Sequence, residues 1–564
     1  MKRILNQFTV LFAVSLVIIS ALTLSCTKQE GYQYEYLYKN LPFEMERVQR
    51  PVFPNNEVVL TEFDAVGDGQ TYNTEAFAKA FDALEKLGGG TLRVPVGIWY
   101  TGPIVFKSNV NLYLEKGAII LFSNDFDDYP LVHTSFEGLE TRRCQSPISA
   151  NNLENIAITG YGSIEGNGHV WRPLKKEKVT EKHWKSVVSS GGVLKRDDYW
   201  LPSQKALNGD LVADMNVPRN LTTDEEWENV KDFLRPVMIS LVSCKNILLE
   251  GVTFQNSPSW NIHPLMCENI IIDNIAVRNP SFAQNGDGLD LESCKNAIVV
   301  NSSFDVGDDG ICIKSGKDED GRKRAMPTEN VIIDNCVVFK GHGGFVVGSE
   351  MSGGVRNVSI KNCRFLGTDV GLRFKSKRGR GGLVENIYVE DVTMIDITTD
   401  SFLFDLYYGG ISAVETLEAG GDDFHRGEEI PEVTEETPAF RNIHFNNISS
   451  VDCRRAMFFN GLPEMPIDNI TLNNVNIISK VGAEFSESTN IDFKNVKIKV
   501  EEGAPLIFRN VENFDVENIE LIGGTDKSIT IAGERTKALN LSKINVKKEN
   551  IEFADDLDVN EVIF

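Results

Sequence analysis

Four polar clusters in the middle of the chain hold residue types that can transfer protons and bind an anion. In order they are Asn285-Gly286-Asp287, Asp308-Asp309, Gly341-His342-Gly343 and Arg373-Phe374-Lys375. When carboxyl groups crowd together, their repulsion raises the pKa of one of them, so that it keeps its proton while its neighbours stay ionised. A guanidinium fork and an ammonium group suit a carboxylate on the substrate. Together the clusters predict acid–base chemistry on an anionic molecule.

Each cluster alone has a more ordinary interpretation. An Asp pair flanked by glycines is more often a turn or a pair of calcium ligands, and the glycines around His342 are typical of a loop. The stretch from Asn285 to Asp287 by itself is turn chemistry. Only the order of the four clusters, at successive repeats, favours one shared site.

The elements that carry these clusters recur along the chain. An Asn followed by alternating apolar residues begins each repeat, and most steps between these residues are 21 to 34 residues long, as in solenoids. The repeat starts are Asn246, Asn269, Asn296, Asn330, Asn357, Asn386, Asn442, Asn469, Asn490 and Asn513. The step from Asn386 to Asn442 is about double and contains either one weak repeat or a long loop.

Two columns of like residues predict that the repeats stack. An Asn or Asp lies five residues after most repeat starts, where its side chain can bond the coils above and below. This column comprises Asn274, Asn301, Asn335, Asn362, Asp391, Asn447, Asn474, Asn495 and Asn518. Cys244, Cys267 and Cys294 form a second column, which we interpret as buried free thiols, because stacked neighbours have parallel Cβ vectors that suit a disulfide poorly. Disulfides are the alternative in an exported protein.

Stacked repeats of short strands predict an all-β fold, a right-handed parallel β-helix, with a short N-terminal capping helix. Asn73 is a candidate N-cap for that helix. Phe77, Phe81 and Leu84 then form one apolar helix face that ends before the glycines at 88–90.

The offsets within the repeats bring the polar clusters to one side of the solenoid. Asp308 and His342 each lie twelve residues after their repeat starts, and Asp287 and Lys375 each lie eighteen after theirs. Adjacent coils are about 4.8 Å apart, so these side chains can face one cleft. Inverting hydrolysis of a glycosidic bond needs two carboxylates about 6.5–9.5 Å apart with a water between them.

At these residues the chain resembles glycoside hydrolase family 28, the polygalacturonases and related pectin hydrolases. The likeness extends from AVGDGQTYNTEAF and GGGTLRVPVGIWYTGPIVFKSNVNLYLEKGA to GLPEMPIDNI, and the family's NTD, DD, GHG and RIK patches match the four clusters. Gly286 replaces the Thr and Phe374 the Ile, which leaves the flanking polar residues in place.

The resemblance implies a role for each residue and implies no metal and no cofactor. Asp308 is expected to be the general acid, Asp287 and Asp309 to activate water, and His342 to support the acid. The predicted substrate-binding residues are Asn285, Lys314, Arg373 and Lys375, with Arg373 and Lys375 binding the sugar carboxylate.

Insertions at about 169–235 and 405–438 interrupt the repeats. Insertions in a solenoid collect on the binding face, and closing one end of a cleft turns an endo-acting site into an exo-acting one. The first insertion resembles those of exo-acting or rhamnogalacturonan-directed members. We therefore expect exo-acting, inverting hydrolysis of α-1,4-linked galacturonic acid. The alternatives are a rhamnogalacturonan hydrolase, a calcium-dependent pectate lyase and a non-catalytic polysaccharide-binding β-helix.

The N-terminus predicts export. Residues 1–25 have a positive start and an apolar run, and Cys26 is followed by polar residues as at a lipoprotein cleavage site, with Thr23 in place of the usual Leu. A transmembrane anchor or an ordinary secretory signal is the alternative. Residues 26–56 are predicted to be a tether and residues 57–564 the β-helix domain, so that the protein would be a lipoprotein of the periplasm or cell surface.

The amino-acid composition limits the classes of molecule that the protein can bind. A net charge of −24 argues against nucleic acid, whose binding needs Lys and Arg at the phosphates. It does not exclude an acidic polysaccharide, because the local charge of a site can oppose the overall balance. We expect a monomer that acts on galacturonan and touches a membrane only through its lipid.

Overall fold

The computed structural model describes residues 32–409, 430–544 and 546–563. The chain divides into a short unit, residues 1–41, and a large unit, residues 42–564. In the short unit the described part has one 3-10 turn, Glu35–Tyr38. The predicted export signal, Cys26 and most of the second insertion lie outside the described residues. Within the described ranges, no helix combines the length and apolarity that crossing a bilayer requires.

The large unit is the right-handed parallel β-helix that the repeats predict. Its strands stack in three parallel columns. The first contains Glu57–Val59, Gly90–Val94, Val110–Leu114, Glu154–Gly160, Lys245–Glu250, Glu268–Asp273, Lys295–Val300, Thr328–Asp334, Val355–Lys361, Lys537–Asn540 and Val562–Ile563. The second contains Gly97–Thr101, Ala118–Phe122, Ser163–Glu165, Thr253–Gln255, Ala276–Arg278, Ser303–Val306, Val337–Lys340 and Arg364–Leu366. The third contains Ile104–Val105, Ile148–Asn151, Ile239–Val242, Ile262–Leu265, Leu289–Glu292, Asp309–Lys314, Gly343–Val347, Leu372–Lys375, Ile529–Ala532 and Ile551–Phe553.

Four long strands near the C-terminal end run through several columns without a break: Leu383–Asp405, Ala439–Asn460, Ile467–Val500 and Leu506–Gly523. The first two pair directly with each other. No further coil is therefore inserted between these two strands of the stack, and residues 410–429 of the double step lie outside the described residues.

Asparagine ladders hold the corners of the coils. In the predicted column, Asn335 donates to Asn301 at 2.9 Å and Asn518 donates to Asn495 at 2.8 Å. The repeat starts form a second ladder that the sequence did not predict, for example Asn357 to Asn330 at 3.0 Å. These residues have left-handed backbones, which Asn tolerates better than most residues, so one residue type provides both the corner and the bond.

The cysteine column and the capping helix also form. The described cysteines are all buried and free, as predicted for Cys244, Cys267 and Cys294. Helix α1 (Thr74–Lys86) buries the predicted apolar face. Asn73 occupies the N-cap position, but its side chain makes no capping bond and instead bonds backbone groups of Val66 and Tyr100.

The first insertion folds as a small cap with helices α2 (Glu181–Ser189), α3 (Gln204–Asp210) and α4 (Asp224–Glu228). A later helix, α5 (Asp318–Arg324), follows the strand Asp309–Lys314 of the third column. Two antiparallel sheets lie in or beside it, Leu131–Phe136 with Leu139–Cys144, and Leu174–Lys175 with Tyr199–Leu201 and Val193–Arg196. Its four tryptophans, Trp171, Trp184, Trp200 and Trp227, are all buried in small apolar clusters.

The segment from 42 to 56 is not a free tether. Val48 is buried, and Arg50 makes two bonds to Glu250, at 2.6 and 2.7 Å. The ring of Phe43 lies 6.2 Å from that of Tyr388. The predicted tether therefore does not extend over 42–56, because apolar and charged side chains dock this segment on the large unit.

Candidate active site

The polar clusters lie on four neighbouring strands of the third column. We name them β1 (Leu289–Glu292), β2 (Asp309–Lys314), β3 (Gly343–Val347) and β4 (Leu372–Lys375), which pair in parallel in this order. Alternation along each strand sends apolar side chains into the core and polar ones outward. Phe374, for example, stacks on Phe404 in the core at 4.3 Å, so Arg373 and Lys375 share the outer face as predicted.

The structure brings the three predicted carboxyl groups together. One oxygen each of Asp287, Asp308 and Asp309 lies within 4.8 Å of the others, which is closer than the spacing of about 6.5–9.5 Å expected above, so inversion is supported by the family and not by this distance. The side chains of Asp287 and Asp309 are 5% and 3% exposed, whereas that of Asp308 is 21% exposed and borders a cleft. Asp308 is therefore the carboxyl group of the three that a substrate can reach most directly.

Two cations fix the charge of Asp309. Lys375 Nζ lies 2.9 Å from one carboxylate oxygen and Arg373 Nη1 lies 3.2 Å from the other. Burial by itself would raise the pKa of Asp309, but Lys375 and Arg373 outweigh it and hold the pKa well below its usual range. Asp309 is thus an ionised carboxylate, and the two cations predicted to bind the substrate already hold a carboxylate of the protein.

Asp287 has the opposite electrostatics. Burial raises the pKa of Asp287, and the neighbouring Asp308 raises it further, although Lys314 lies 3.8 Å away. Its Oδ1 has no hydrogen-bond partner among the described residues. Within the cluster, Asp287 therefore holds a proton more readily than Asp309 does.

His342 is held against Asp308. Its Nδ1 lies 3.1 Å from a carboxylate oxygen of Asp308, and Nε2 lies 3.8 Å from Asp369. The bond to Asp308 raises the pKa of His342 despite burial. Gly341 is required here, because its backbone is left-handed and a Cβ would lie 2.5 Å from the carbonyl oxygen of Asp308.

The glycine after His342 also has a role. A Cβ at Gly343 would lie 2.4 Å from Val346 and 3.5 Å from the side chain of Arg373. Strand β3 lies between β2 and β4, so the bare backbone at Gly343 leaves room for Arg373 to reach Asp309 across the intervening coil.

The other two predicted substrate-binding residues differ in position. Lys314 is only 5% exposed, with Nζ 2.9 Å from Asp290 and 3.5 Å from the centre of the Trp260 ring. The prediction of direct substrate contact is therefore not supported, because Trp260 covers this strand position and Lys314 lies beneath the carboxyl groups. Asn285 borders the cleft, and its Oδ1 accepts a bond from Arg235 at 2.8 Å.

Sequence reasoning missed the supports of the site. Arg235 is buried and also donates to the carbonyl oxygens of Gln284 and Pro258, at 2.8 and 3.1 Å, so it anchors the loop before Asp287. It belongs to an insertion without repeats and so gave no signal. Asp290 could have been found, since it ends the same polar run as Asp287, and both carboxyl groups lie beside Lys314.

A cleft of about 470 Å³ opens beside Asp308 and His342. The part of its wall that comes from the first insertion carries four cations, Lys175, Lys178, Arg196 and Arg235, of which Arg196 is paired with Asp198 at 2.9 Å. Asp210, the other acidic residue in the lining, is bonded by Lys195 and Tyr199. The cleft is thus a locally positive site in an acidic protein.

The three carboxyl groups are close enough together to be considered as metal ligands. However, Lys375 and Arg373 occupy Asp309, and Lys314 lies beside Asp287. These ammonium and guanidinium groups already balance the negative charge that a divalent cation would otherwise compensate. The donor set therefore fits acid–base chemistry better than a calcium site.

Comparisons with known proteins agree with this geometry. Residues 223–416 match the family model described as glycosyl hydrolases family 28. A probable polygalacturonase of Vitis vinifera is 29% identical over 74% of this chain and 73% of its own length. An exo-poly-alpha-D-galacturonosidase of Dickeya chrysanthemi is 27% identical over 81% and 74%. Among solved structures, a hyperthermoactive exopolygalacturonase from Thermotoga maritima is 30% identical, with a TM-score of 0.64 over 88% of this chain and 97% of its own. The chain belongs to glycoside hydrolase family 28.

Proposed function

We propose that this enzyme hydrolyses α-1,4-linked galacturonan from a chain end, with inversion at the anomeric carbon. The observation that carries the proposal is the cleft lined by Asp308 and by a wall of four cations. A polymer with one carboxylate per sugar complements such a wall. The exo-acting relatives of Dickeya chrysanthemi and Thermotoga maritima support the same substrate and mode of cleavage.

The geometry suggests how the residues share the chemistry. Asp308, the most exposed carboxyl group, donates its proton to the glycosidic oxygen as the bond breaks. Asp309, kept ionised by Lys375 and Arg373, takes a proton from the attacking water, and Asp287 holds that water. The reaction needs a proton on Asp308, and the neighbouring Asp287, whose pKa is raised by burial, is the carboxyl group that can share one with it.

The first insertion supports exo action. Its cations border the cleft close to the catalytic residues, so that an entering chain would meet this wall within a short distance of Asp308. An open groove that extends past the carboxyl groups in both directions is the alternative for an endo-acting enzyme. Rhamnogalacturonan remains a second candidate substrate, because its galacturonic acid carries the same charge.

A product profile tests the proposal. Polygalacturonan and rhamnogalacturonan are incubated separately, and viscosity, reducing ends and small products are followed together. We expect mono- or digalacturonate from the first minutes with little loss of viscosity, and a newly formed end whose anomeric configuration, read by NMR, is inverted. Rapid loss of viscosity would contradict exo action, and an unsaturated, ultraviolet-absorbing end would indicate a lyase.

We also propose that the enzyme is an exported, monomeric lipoprotein carrying lipid on Cys26. The sequence of residues 1–26 supports this. Labelling cells with a fatty-acid analogue should mark the wild-type protein and leave a Cys26→Ala variant unlabelled. Labelling of both would refute lipidation at this residue, and light scattering of the released domain measures its oligomeric state.

A further inference from the structure

A second, larger cavity lies on the other side of the loop that carries the catalytic Asp287. Its volume is about 720 Å³, and Arg278, Asn279, Pro280 and Phe282 form its wall on the loop side. Residues 281–285 of the same loop line the catalytic cleft, and Phe282 borders both spaces. None of the carboxyl groups of the active site lines this second cavity.

The charge of this cavity is unusual for the protein. The chain has 81 acidic and 57 basic residues, yet no Asp or Glu lines the cavity, whereas Arg172, Arg278, His169 and His183 do. The nearest carboxylate behind the wall, that of Glu165, accepts bonds from Gln255 and Asn256 at 2.8 and 2.7 Å.

Arg172 is a buried cation without a carboxylate partner. It is 3% exposed and donates to the carbonyl oxygen of Ser257 at 2.6 Å and to Asn256 Oδ1 at 2.5 Å. Its Nε has no hydrogen-bond partner among the described residues, and no carboxylate there forms an ion pair with it. Arg172 forms no ion pair among the described residues and so brings positive charge to the wall of the cavity, which favours an anion in the adjoining space.

Groups at the mouth of the cavity can contact the carboxylate, the ring face and the hydroxyl groups of a sugar acid. Arg278, His169 and His183 are exposed there, and Arg278 forms no ion pair within the described ranges, even with its sheet neighbour Asp305. Phe282 and Trp200 contribute ring surfaces on which a sugar face can pack. Asn256 and Asn279 also line the cavity, but their amides are engaged with Arg172, Glu165 and backbone groups, so among these amides Gln255 Oε1 is the group left to accept a bond from a hydroxyl.

From the cations Arg172 and Arg278, the lack of acidic residues in the lining and the ring surfaces, we propose that this cavity is a non-catalytic binding site for an acidic saccharide, one uronic-acid unit or a short oligomer. It is separate from the cleft of the proposed function. Asn279 ties the two together, since its Nδ2 donates to the carbonyl oxygen of Gly286 at 3.0 Å, directly before Asp287.

Equilibrium dialysis of the full chain with galacturonate tests the site. All proteins carry Asp308→Asn, which prevents turnover. Binding to this protein is compared with binding to a variant that also carries Arg278→Gln. The matched control carries Arg364→Gln instead, at an exposed strand position outside the cavity. We expect two equivalents bound by the Asp308→Asn protein and by the control. In Arg278→Gln we expect one equivalent to weaken about tenfold or more, because a charge-assisted bond is lost.

Two further probes define the ligand. Galactose, which lacks the carboxylate, should leave the second site empty. Galacturonate should quench tryptophan fluorescence in the Asp308→Asn protein through Trp200, and this quenching should be lost when Trp200→Phe is added. Equal binding of galacturonate to the Arg278→Gln and Arg364→Gln variants, whether one or two equivalents are bound, would overturn the proposal. Tighter binding of benzoate than of galacturonate would overturn the saccharide assignment. The outcome does not depend on hydrolysis, so the proposed function can fail or hold independently.

Discussion

Lys375 Nζ lies 2.9 Å from a carboxylate oxygen of Asp309, although the two residues lie two coils apart in the sheet. The contact separates the roles of two carboxyl groups that are adjacent in sequence. Asp309 is buried, and Lys375 and Arg373 hold its pKa well below the usual range, while Asp308, one residue earlier, is partly exposed and bonded to His342. Two neighbouring aspartates thus take different roles, Asp309 as the base and Asp308 as the candidate acid.

Removing the acid should abolish hydrolysis and preserve the fold. We expect Asp308→Asn to lower kcat on polygalacturonan by about 10²–10⁴-fold, the usual contribution of general acid catalysis. Asp305→Asn, on the preceding strand and outside the site, is the matched control and should retain wild-type activity. Unchanged activity in Asp308→Asn, with circular dichroism equal to the wild type, would refute the assignment of the acid.

The contact between Lys375 and Asp309 predicts a change in pH dependence. Lys375 lowers the pKa of Asp309, so in Lys375→Met that pKa rises and Asp309 is protonated at a higher pH. The acid limb of the pH–rate profile should therefore move upward, so that activity at about pH 4 falls more than activity at about pH 6. Lys377→Met, an exposed neighbour, serves as control. Parallel profiles for all three proteins would contradict the assigned base.

A buried charge network next to the site predicts acid sensitivity of the fold. Glu292 is fully buried, 2.9 Å from His263 Nε2 and 2.6 Å from Arg324 Nη1. Burial would raise its pKa, but His263 and Arg324 outweigh burial and lower the pKa from 4.5 to about 2. Its stabilising effect is thus complete above about pH 4.5 and is lost as the pH falls toward 2.

Glu292→Gln tests this linkage. At neutral pH we expect it to reduce the free energy of unfolding by about 3–5 kcal/mol, because it leaves the largely buried guanidinium of Arg324 without its carboxylate. The difference from wild type, followed by urea unfolding, should shrink between pH 4.5 and 2. Glu268→Gln, which removes a partly exposed ion pair with Lys245, should cost about 1 kcal/mol or less. A difference for Glu292→Gln that is independent of pH would contradict the lowered pKa.

The cations that the first insertion contributes to the catalytic cleft predict that a charge change there weakens substrate binding. Lys178 lines the catalytic cleft and is exposed, so Lys178→Glu should raise KM for polygalacturonan several-fold with little change in kcat, and added salt should reduce the difference from wild type. Lys182→Glu changes the same charge on the insertion but outside the cleft lining. An equal effect of both variants would show that only the overall charge matters.

Metal removal separates hydrolysis from calcium-dependent elimination. Since Lys375, Arg373 and Lys314 balance the carboxyl groups, a chelator should leave activity unchanged within error. Calcium added back should then have no effect. Loss of activity with chelator and its recovery with calcium would favour the lyase alternative.

The amino-acid sequence by itself determined the solenoid and the membership of the site. Asparagines at fixed offsets, such as Asn301 and Asn335, recur because every coil must turn the same corner and bond the same neighbours. That periodicity is local, so it can be read from the chain, and it places Asp287, Asp308 and Lys375 on one face without any coordinates.

Only the tertiary structure decided how charge is distributed within the site. Lys314 and Lys375 are both lysines on the outer face, yet packing buries both and pairs them with Asp290 and Asp309, because Trp260 and Tyr408 lie over them. The first insertion has no repeat to read, so the anchoring by Arg235, the cationic wall and the second cavity became visible only once it folded onto the coils. A pKa depends on burial and on neighbours several ångströms away through space, and the order of residues along the chain does not supply those distances.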